Sequence, residues 1–196
     1  MSVEGIILAA GLSSRMRKFK MTLDIGGKTL LERCIDSMYE YCKRVIIVGG
    51  YRFEDIRDIA DNYTKVELIY NENYTKGMIS SIRHAFNHLI EDRFFFVPGD
   101  YALISRNTYG ALLEEEGDIL IPAYKGEKGH PILMKSLFAE HYLNDDRDIT
   151  LRDFIRETGY KTVDVDDEGI LLDLDTDDDY KRIIDKVKKH GKYHFR

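Results

Sequence analysis

Apolar and polar positions along this chain switch repeatedly between the period of a strand and the period of a helix. Residues 3–9 (VEGIILA) form a short apolar run rich in branched residues, which predicts a strand buried on both faces. From 28 to 42 the apolar positions Leu30, Leu31, Cys34, Ile35, Met38, Tyr41 and Cys42 follow helical spacing. The pattern continues with a strand at 44–50, an amphipathic helix at 53–63, a strand at 65–70, a helix at 77–90 and a strand at 93–100 that stops at Pro98-Gly99. Ser105 is placed to cap the next helix. Residues 118–124 and 130–135 predict a hairpin of strands around a Gly-rich turn, followed by short helices at 136–143 and 150–158. KTVDVD (161–166) and ILLDLD (170–175) predict two more strands, and Thr176 with Asp179 predicts a capping box opening the last helix.

Alternating strands and helices predict an α/β fold, with a mostly parallel sheet covered by helices on both faces. No linker, repeat or low-complexity stretch divides residues 1–196, apart from an acidic tract at 164–179 with nine carboxylates and no base. Open sheets of this class bind ligands beyond the carboxyl ends of their strands, so the loops after the strands are where chemistry is to be sought.

Composition narrows the classes. With 196 residues, 43% hydrophobic and 33% charged, the chain has enough core to fold without disulfides or a structural metal. No apolar run approaches the ~20 residues of a membrane span. The opening MSVEGIILAAG places an acid before a very short apolar stretch, unlike a secretory signal, so a cytoplasmic protein is expected. Net charge is −6; residues 181–196 contribute +6, leaving an acidic body that argues against nucleic acid as a partner. The basic end reads as a solvated helix terminus. Cys34 and Cys42, eight apart and about 80° around a helix axis, are not placed to pair, and reduced thiols are expected.

Three loops and two further segments carry candidate chemistry. The first strand runs into Leu8-Ala9-Ala10-Gly11-Leu12-Ser13-Ser14-Arg15-Met16, with Lys20 soon after. Small residues let backbone amides approach an anion, Gly11 tolerates unusual dihedrals, Ser13 and Ser14 add donors, and Arg15 and Lys20 add a fork and a point charge. The set suits a triphosphate, although it is neither a Walker loop nor a dinucleotide fingerprint, and a polar turn with surface bases is the plain alternative. Asp100, at the end of a buried strand, suits a divalent cation such as Mg²⁺ or simply caps a turn. Asp173 and Asp175 share a face if their segment is a strand, and either completes a metal site or complements a helix N-terminus. Asn71 to Ser81 offers groups for a base edge or for helix capping. In Gly129-His130-Pro131, at the start of a strand, the lone His reads as structural; His84, His88, His141, His190 and His194 read as surface residues.

The motifs LAAGLSSRM, Lys20, GGKTLLER (26–33), NENYTKGMISS (71–81), PGD (98–100), GHP (129–131) and LDLDTDDDY (172–180) occur in the order and rough spacing of one family. On them the chain resembles the MobA-like nucleotidyltransferases, most closely their molybdenum cofactor cytidylyltransferase branch, from residue 5 to about 182. The resemblance implies a Rossmann-like three-layer sandwich of the nucleotide-diphospho-sugar transferase type. It also implies transfer of a nucleotide from an NTP to a phosphorylated acceptor with release of pyrophosphate. GMISS (77–81) points to CTP, and the branch points to molybdopterin as acceptor and to a molybdoenzyme as partner. In such a protein Leu8, Ala9, Ala10, Gly11, Ser13, Ser14, Arg15 and Lys20 hold the triphosphate, and Asn71, Gly77 and Ser81 lie near base and ribose. Asp100 binds Mg²⁺ with Asp175 as second ligand; Arg15, Lys20 and Asp100 are catalytic; Gly129, His130 and Pro131 face the acceptor. Residues 1–100 form the NTP half, 101–182 the acceptor half, and 183–196 a basic helix end.

The chain departs from the family pattern at Arg17, where Gly is usual, at Ala102, where Pro is usual, and at 146–152, which lacks the glycines of a GDxGxR-like stretch. The NTP half therefore matches more closely than the acceptor half. A sugar or alcohol phosphate as acceptor, or a non-catalytic maturation protein of the same fold, stays open as an alternative.

Overall fold

The computed structural model describes residues 2–12, 16 and 18–189, so Ser13, Ser14, Arg15 and Arg17 lie outside the described residues. In chain order the first half contains β1 (Val3–Leu8), α1 (Leu30–Met38), β2 (Arg44–Gly49), α2 (Phe53–Ala60), β3 (Val66–Tyr70), α3 (Met78–Phe86) and β4 (Arg93–Pro98). The second half contains α4 (Arg106–Glu114), β5 (Ile119–Tyr124), β6 (Glu127–Lys128), β7 (Ile132–Lys135), α5 (Ser136–Leu143), α6 (Leu151–Thr158), β8 (Lys161–Asp164) and α7 (Asp177–Lys189). Each predicted helix forms; those predicted at 28–42, 53–63 and 77–90 are shorter than their apolar patterns because the last periodic residues lie beyond the helix end, and those at 136–143 and 150–158 form at nearly the expected bounds.

β1 is buried at every position and takes the middle of an eight-stranded sheet ordered β3-β2-β1-β4-β7-β5, with β6 continuing the β7 side of β5 and β8 also paired to β5. The first four strands are parallel; β7 runs antiparallel to β4 and β5, and β8 is parallel to β5. Strand alternation divides the core between two layers. Val3 and Ile7 pack with α1, α4 and Ile183 of α7 on one face, while Ile6 and Leu8 pack with α3, α5 and α6 on the other. The result is the three-layer α/β sandwich expected.

The predicted hairpin forms, but its return is broken. Tyr124 pairs with Glu127 across Lys125 and Gly126, which both take positive φ (51° and 85°), a two-residue turn suited to strand twist. The pairing resumes at Leu120–Leu133. Between them Gly129 N–H still donates to Pro122 O of β5 (3.0 Å), but His130 N–H turns to Ile170 O (3.1 Å), so the ladder breaks at His130-Pro131 and the strand begins at Ile132.

The strand predicted at 170–175 is absent. Residues Glu168–Leu171 form a 3₁₀ turn, and 172–175 carry no regular structure, tied just beyond the end of β4 by Leu174 N–H donating to Asp100 O at 3.0 Å. Leu172 and Leu174 are buried and Asp173 and Asp175 are half-buried, so the period of two is real although no neighbouring strand pairs with it.

The acidic tract divides by job. Thr176 and Asp179 make the expected capping box, the Asp179 carboxylate accepting from Thr176 N–H (2.9 Å) while Thr176 Oγ1 accepts from Asp179 N–H (3.2 Å). Asp167 is buried and accepts from Ser105 N–H (2.8 Å), Thr108 Oγ1–H (2.7 Å) and Gly169 N–H (2.9 Å). Losing that acceptor strands three donors, so Asp167→Ala should destabilise by about 3 kcal/mol. Asp164→Ala, at an exposed position, should stay within about 0.5 kcal/mol of wild type. Urea unfolding of the two variants checks this, and equal midpoints would contradict it.

Cys34 and Cys42 are both buried free thiols, as expected. Burial pushes both thiol pKa values up, Cys42 to about 12, which leaves them inert as nucleophiles. Among the described residues no helix is long and apolar enough to cross a membrane.

Candidate functional site

β1 and β4 end at the same level, Leu8 opposite Pro98. Just beyond, Gly99 N–H donates to Leu8 O at 2.8 Å, and a Cβ on Gly99 would stand 2.8 Å from that same oxygen, so the close approach of the two chain segments requires glycine there. A cleft of about 710 Å³ opens above this junction. Leu8, Ala9, Ala10, Gly11, Lys20, Gly77, Ser81, Asp100 and Asp175 all line it, as do Tyr74, Met78, Tyr101 and Asp173.

Gly11 has no positive φ, and a Cβ there would meet nothing within 4 Å, so neither backbone conformation nor packing within the chain requires glycine at this position. Gly77 does need glycine's freedom, with φ at 96° where it caps α3. No side chain caps α3, so its first amides keep their hydrogen-bonding capacity beside the cleft.

Lys20 stands on a 3₁₀ turn (Lys20–Thr22) flanked by buried Phe19 and Met21. Its ammonium donates to Asp100 Oδ2 at 3.0 Å and to Asp175 Oδ1 at 2.8 Å, joining three segments far apart in sequence. Burial alone would lower the pKa of Lys20, but the Asp100 and Asp175 carboxylates carry it above the ordinary lysine value. Asp173 is shifted upward, first by burial and then by the charges of Asp100 and Asp175. Burial, followed by these three carboxylates, holds the Tyr101 hydroxyl at about 12, so it is a neutral donor.

Asp100 Oδ1 is buried with no hydrogen-bond partner. A buried carboxylate oxygen left without a donor is the kind of atom a cation satisfies. Among the described residues no three His, Cys, Asp or Glu side chains are grouped to hold a metal. Mg²⁺ commonly takes one or two carboxylates plus substrate phosphates, so Asp100 with Asp175 fits such an ion.

Asn71 does not line the cleft. It is buried behind the wall, where Nδ2 donates to Ser80 Oγ and Ser81 Oγ (3.0 Å each) and Oδ1 accepts from Asn73 N–H (3.0 Å). It pins the 71–81 segment and so sets the position of Ser81.

A second cavity of about 810 Å³ adjoins the first, sharing Met78, Pro98 and Tyr101 with it. Gly129 and His130 line it, and Pro131 does not. The His130 ring meets Tyr101 edge-on at 4.8 Å, and burial pushes its pKa down to about 4, leaving a neutral imidazole. Lys128, Arg152 and Arg156 stand around this cavity with Tyr160. No sequence motif names these residues; the available signal is the nearness of Lys128 to GHP and the place of Arg152 at the end of the departing 146–152 stretch. In that stretch Ile149 and Leu151 are buried and Thr150 caps α6, and Ala102 is buried in the core, so both departures are accommodated by packing. His84 and His88 are partly buried and touch one another on the α3 side, away from both cavities.

The model of the MobA-like NTP transferase domain matches residues 5–163. The molybdenum cofactor cytidylyltransferase of Escherichia coli (strain K12) is 29% identical over 181 residues, covering 91% of this chain and 94% of that protein. A probable molybdenum cofactor guanylyltransferase of Aquifex aeolicus (strain VF5) is 25% identical over 186 residues, covering 91% of this chain and 88% of its own. Among solved structures, the manganese complex of Rv0371C from Mycobacterium tuberculosis H37Rv superposes with a TM-score of 0.77 at 20% identity, covering 95% of this chain and all of that one, a likeness of fold.

Proposed function

The chain belongs to the MobA-like NTP transferase family, and on that premise we propose that it moves a nucleotide from an NTP to a phosphorylated small-molecule acceptor, releasing pyrophosphate. The finer reading is CTP as donor, molybdopterin as acceptor and Mg²⁺ as cofactor. Similarity to a named molybdenum cofactor cytidylyltransferase over 91% of the chain supports the donor and acceptor, and the manganese complex of a protein of the same fold supports a divalent cation. The observation that carries the reading is the meeting of Lys20, Asp100 and Asp175 above the Leu8–Gly11 loop, in a cleft that opens into a second, cation-lined cavity.

The chemistry needs no protein nucleophile: an acceptor phosphate oxygen attacks the α-phosphorus and pyrophosphate leaves. The chain's work is positioning and charge compensation. In this reading the small residues Leu8–Gly11 and the uncapped start of α3 receive the phosphates, and Lys20 neutralises charge growing on them. Arg15, Ser13 and Ser14 join this set by motif. Asp100 and Asp175 would hold Mg²⁺, which supplies charge neutralisation at phosphate oxygens. Ser81, held by Asn71, and Gly77 sit on the nucleoside side. Gly129 and His130 face the acceptor, whose phosphate finds Lys128, Arg152 and Arg156 nearby. The NTP and acceptor halves interleave: Met78 lines both cavities, and Asp175 reaches back into the NTP cleft.

The four NTPs with Mg²⁺ test the reading by thermal unfolding. CTP at about 100 times its dissociation constant should add about 2.7 kcal/mol of stability, with GTP, ATP and UTP adding less at the same concentration. Preference for GTP would overturn the CTP assignment, and no shift with any NTP would overturn the transferase reading.

A further inference from the structure

Asp100 and Asp175 come from segments far apart in sequence, yet each has an oxygen within 3.0 Å of one point, the Lys20 ammonium. A divalent cation held by these same two oxygens, Asp100 Oδ2 and Asp175 Oδ1, would need the volume this ammonium fills. The two cannot share it: a monovalent and a divalent positive charge a few ångströms apart in a half-buried cleft repel strongly. We infer that Lys20 is the resident counter-ion of the metal carboxylates, and that its side chain must swing off them before a divalent cation binds.

The lysine is built for such a move. Its backbone is fixed, with Phe19 and Met21 buried on either side and Leu23 N–H donating to Lys20 O at 3.0 Å. The four-carbon stem is the mobile part, and its tip opens on the same cleft as Leu8–Gly11. A triphosphate there offers the ammonium new anionic partners in exchange for the carboxylates. Asp100 meanwhile keeps Oδ1 buried and without a hydrogen-bond partner beside the Oδ2 that Lys20 uses, so the ion's place is already prepared on one side. Metal alone is therefore excluded by Lys20, and nucleotide admits it. The cleft binds nucleotide and metal as a coupled pair, and carboxylates without nucleotide do not collect stray divalent ions.

The inference rests on the proposed reading of Asp100 and Asp175 as the metal carboxylates. Its test is a titration of the whole protein with Mn²⁺ and no nucleotide, free Mn²⁺ being read by its paramagnetic resonance signal. Lys20→Met keeps the stem and removes the charge. It should bind Mn²⁺ about tenfold or more tighter than wild type, the scale expected when a like charge leaves a cation site. Lys20→Arg, which keeps the charge, should bind as weakly as wild type, and Lys20→Met combined with Asp100→Asn should lose the gain. Binding by Lys20→Met that is equal to or weaker than wild type would overturn the inference, as would a gain indifferent to Asp100→Asn. In either case the metal dependence of turnover in the single Asp100→Asn variant separates the two claims. If that turnover is abolished, only the counter-ion role falls; if it survives, the carboxylate assignment falls as well.

Discussion

Asp100→Asn is expected to lower nucleotidyl transfer by about a hundredfold or more while the fold stays intact, the loss typical of removing one charge-organising group at a reacting centre. The fold should survive because the side chain carries little of it. Oδ1 has no hydrogen-bond partner, and Oδ2 accepts from Lys20, a contact that an amide oxygen can also accept. The backbone of residue 100 does hold structure, its carbonyl accepting from Leu174 N–H at 3.0 Å, and the substitution leaves it untouched. An amide is nearly the shape of a carboxylate but brings no charge for Mg²⁺. Steady-state rates, taken beside a thermal melt in the absence of nucleotide, check both parts. Near-wild-type turnover would show that Asp100 is not the metal's carboxylate.

Lys20→Ala should reduce turnover about a hundredfold, whereas Lys18→Ala should change it by less than about twofold. Both lysines lie in one basic stretch, so a loop that only presented positive charge would treat them alike. The structure separates them. Lys18 is exposed, and its charge is screened within about 10 Å at ordinary salt. Lys20 has a side chain only 13% exposed and bridges Asp100 and Asp175 at the floor of the cleft. Kinetics of the two variants at physiological salt decide the matter, and equal small losses would contradict it. Lys20→Met, which also removes the charge, should weaken turnover yet tighten Mn²⁺ without nucleotide, a pair of opposite effects that simple misfolding does not produce.

Much of this was legible in the sequence because burial writes periodicity. β1, β2 and β4 are buried at nearly every position, and their apolar runs stand out. The GGKTLLER motif is explained by local structure: Gly26 and Gly27 have positive φ, Thr29 and Glu32 form a capping box, and Arg33 Nη2 donates back to Gly26 O at 3.2 Å. The segment 170–175 misled because its alternation of buried Leu172 and Leu174 with Asp173 and Asp175 is that of a strand. Its backbone bonds instead to Asp100 and to His130, partners that no local pattern announces. The conclusion drawn from it, that Asp173 and Asp175 share a face, holds in a different structure. The sequence suggests a ligand contact for Asn71 because a polar residue after a strand looks the same whether it faces a cleft or braces the wall behind it. The second cavity was partly hidden for a similar reason: Lys128, Arg152 and Tyr160 come from β6, α6 and the turn before β8, and only the fold brings them to one rim.

The central claim is nucleotidyl transfer, and pyrophosphate release tests it most directly. Purified protein given CTP, Mg²⁺ and molybdopterin should release one pyrophosphate for each acceptor consumed, with little release when acceptor or metal is omitted and little from the Asp100→Asn variant. Failure to release pyrophosphate from any of the four NTPs, by a folded protein supplied with acceptor and metal, would contradict the account and leave a binding protein that has kept the fold.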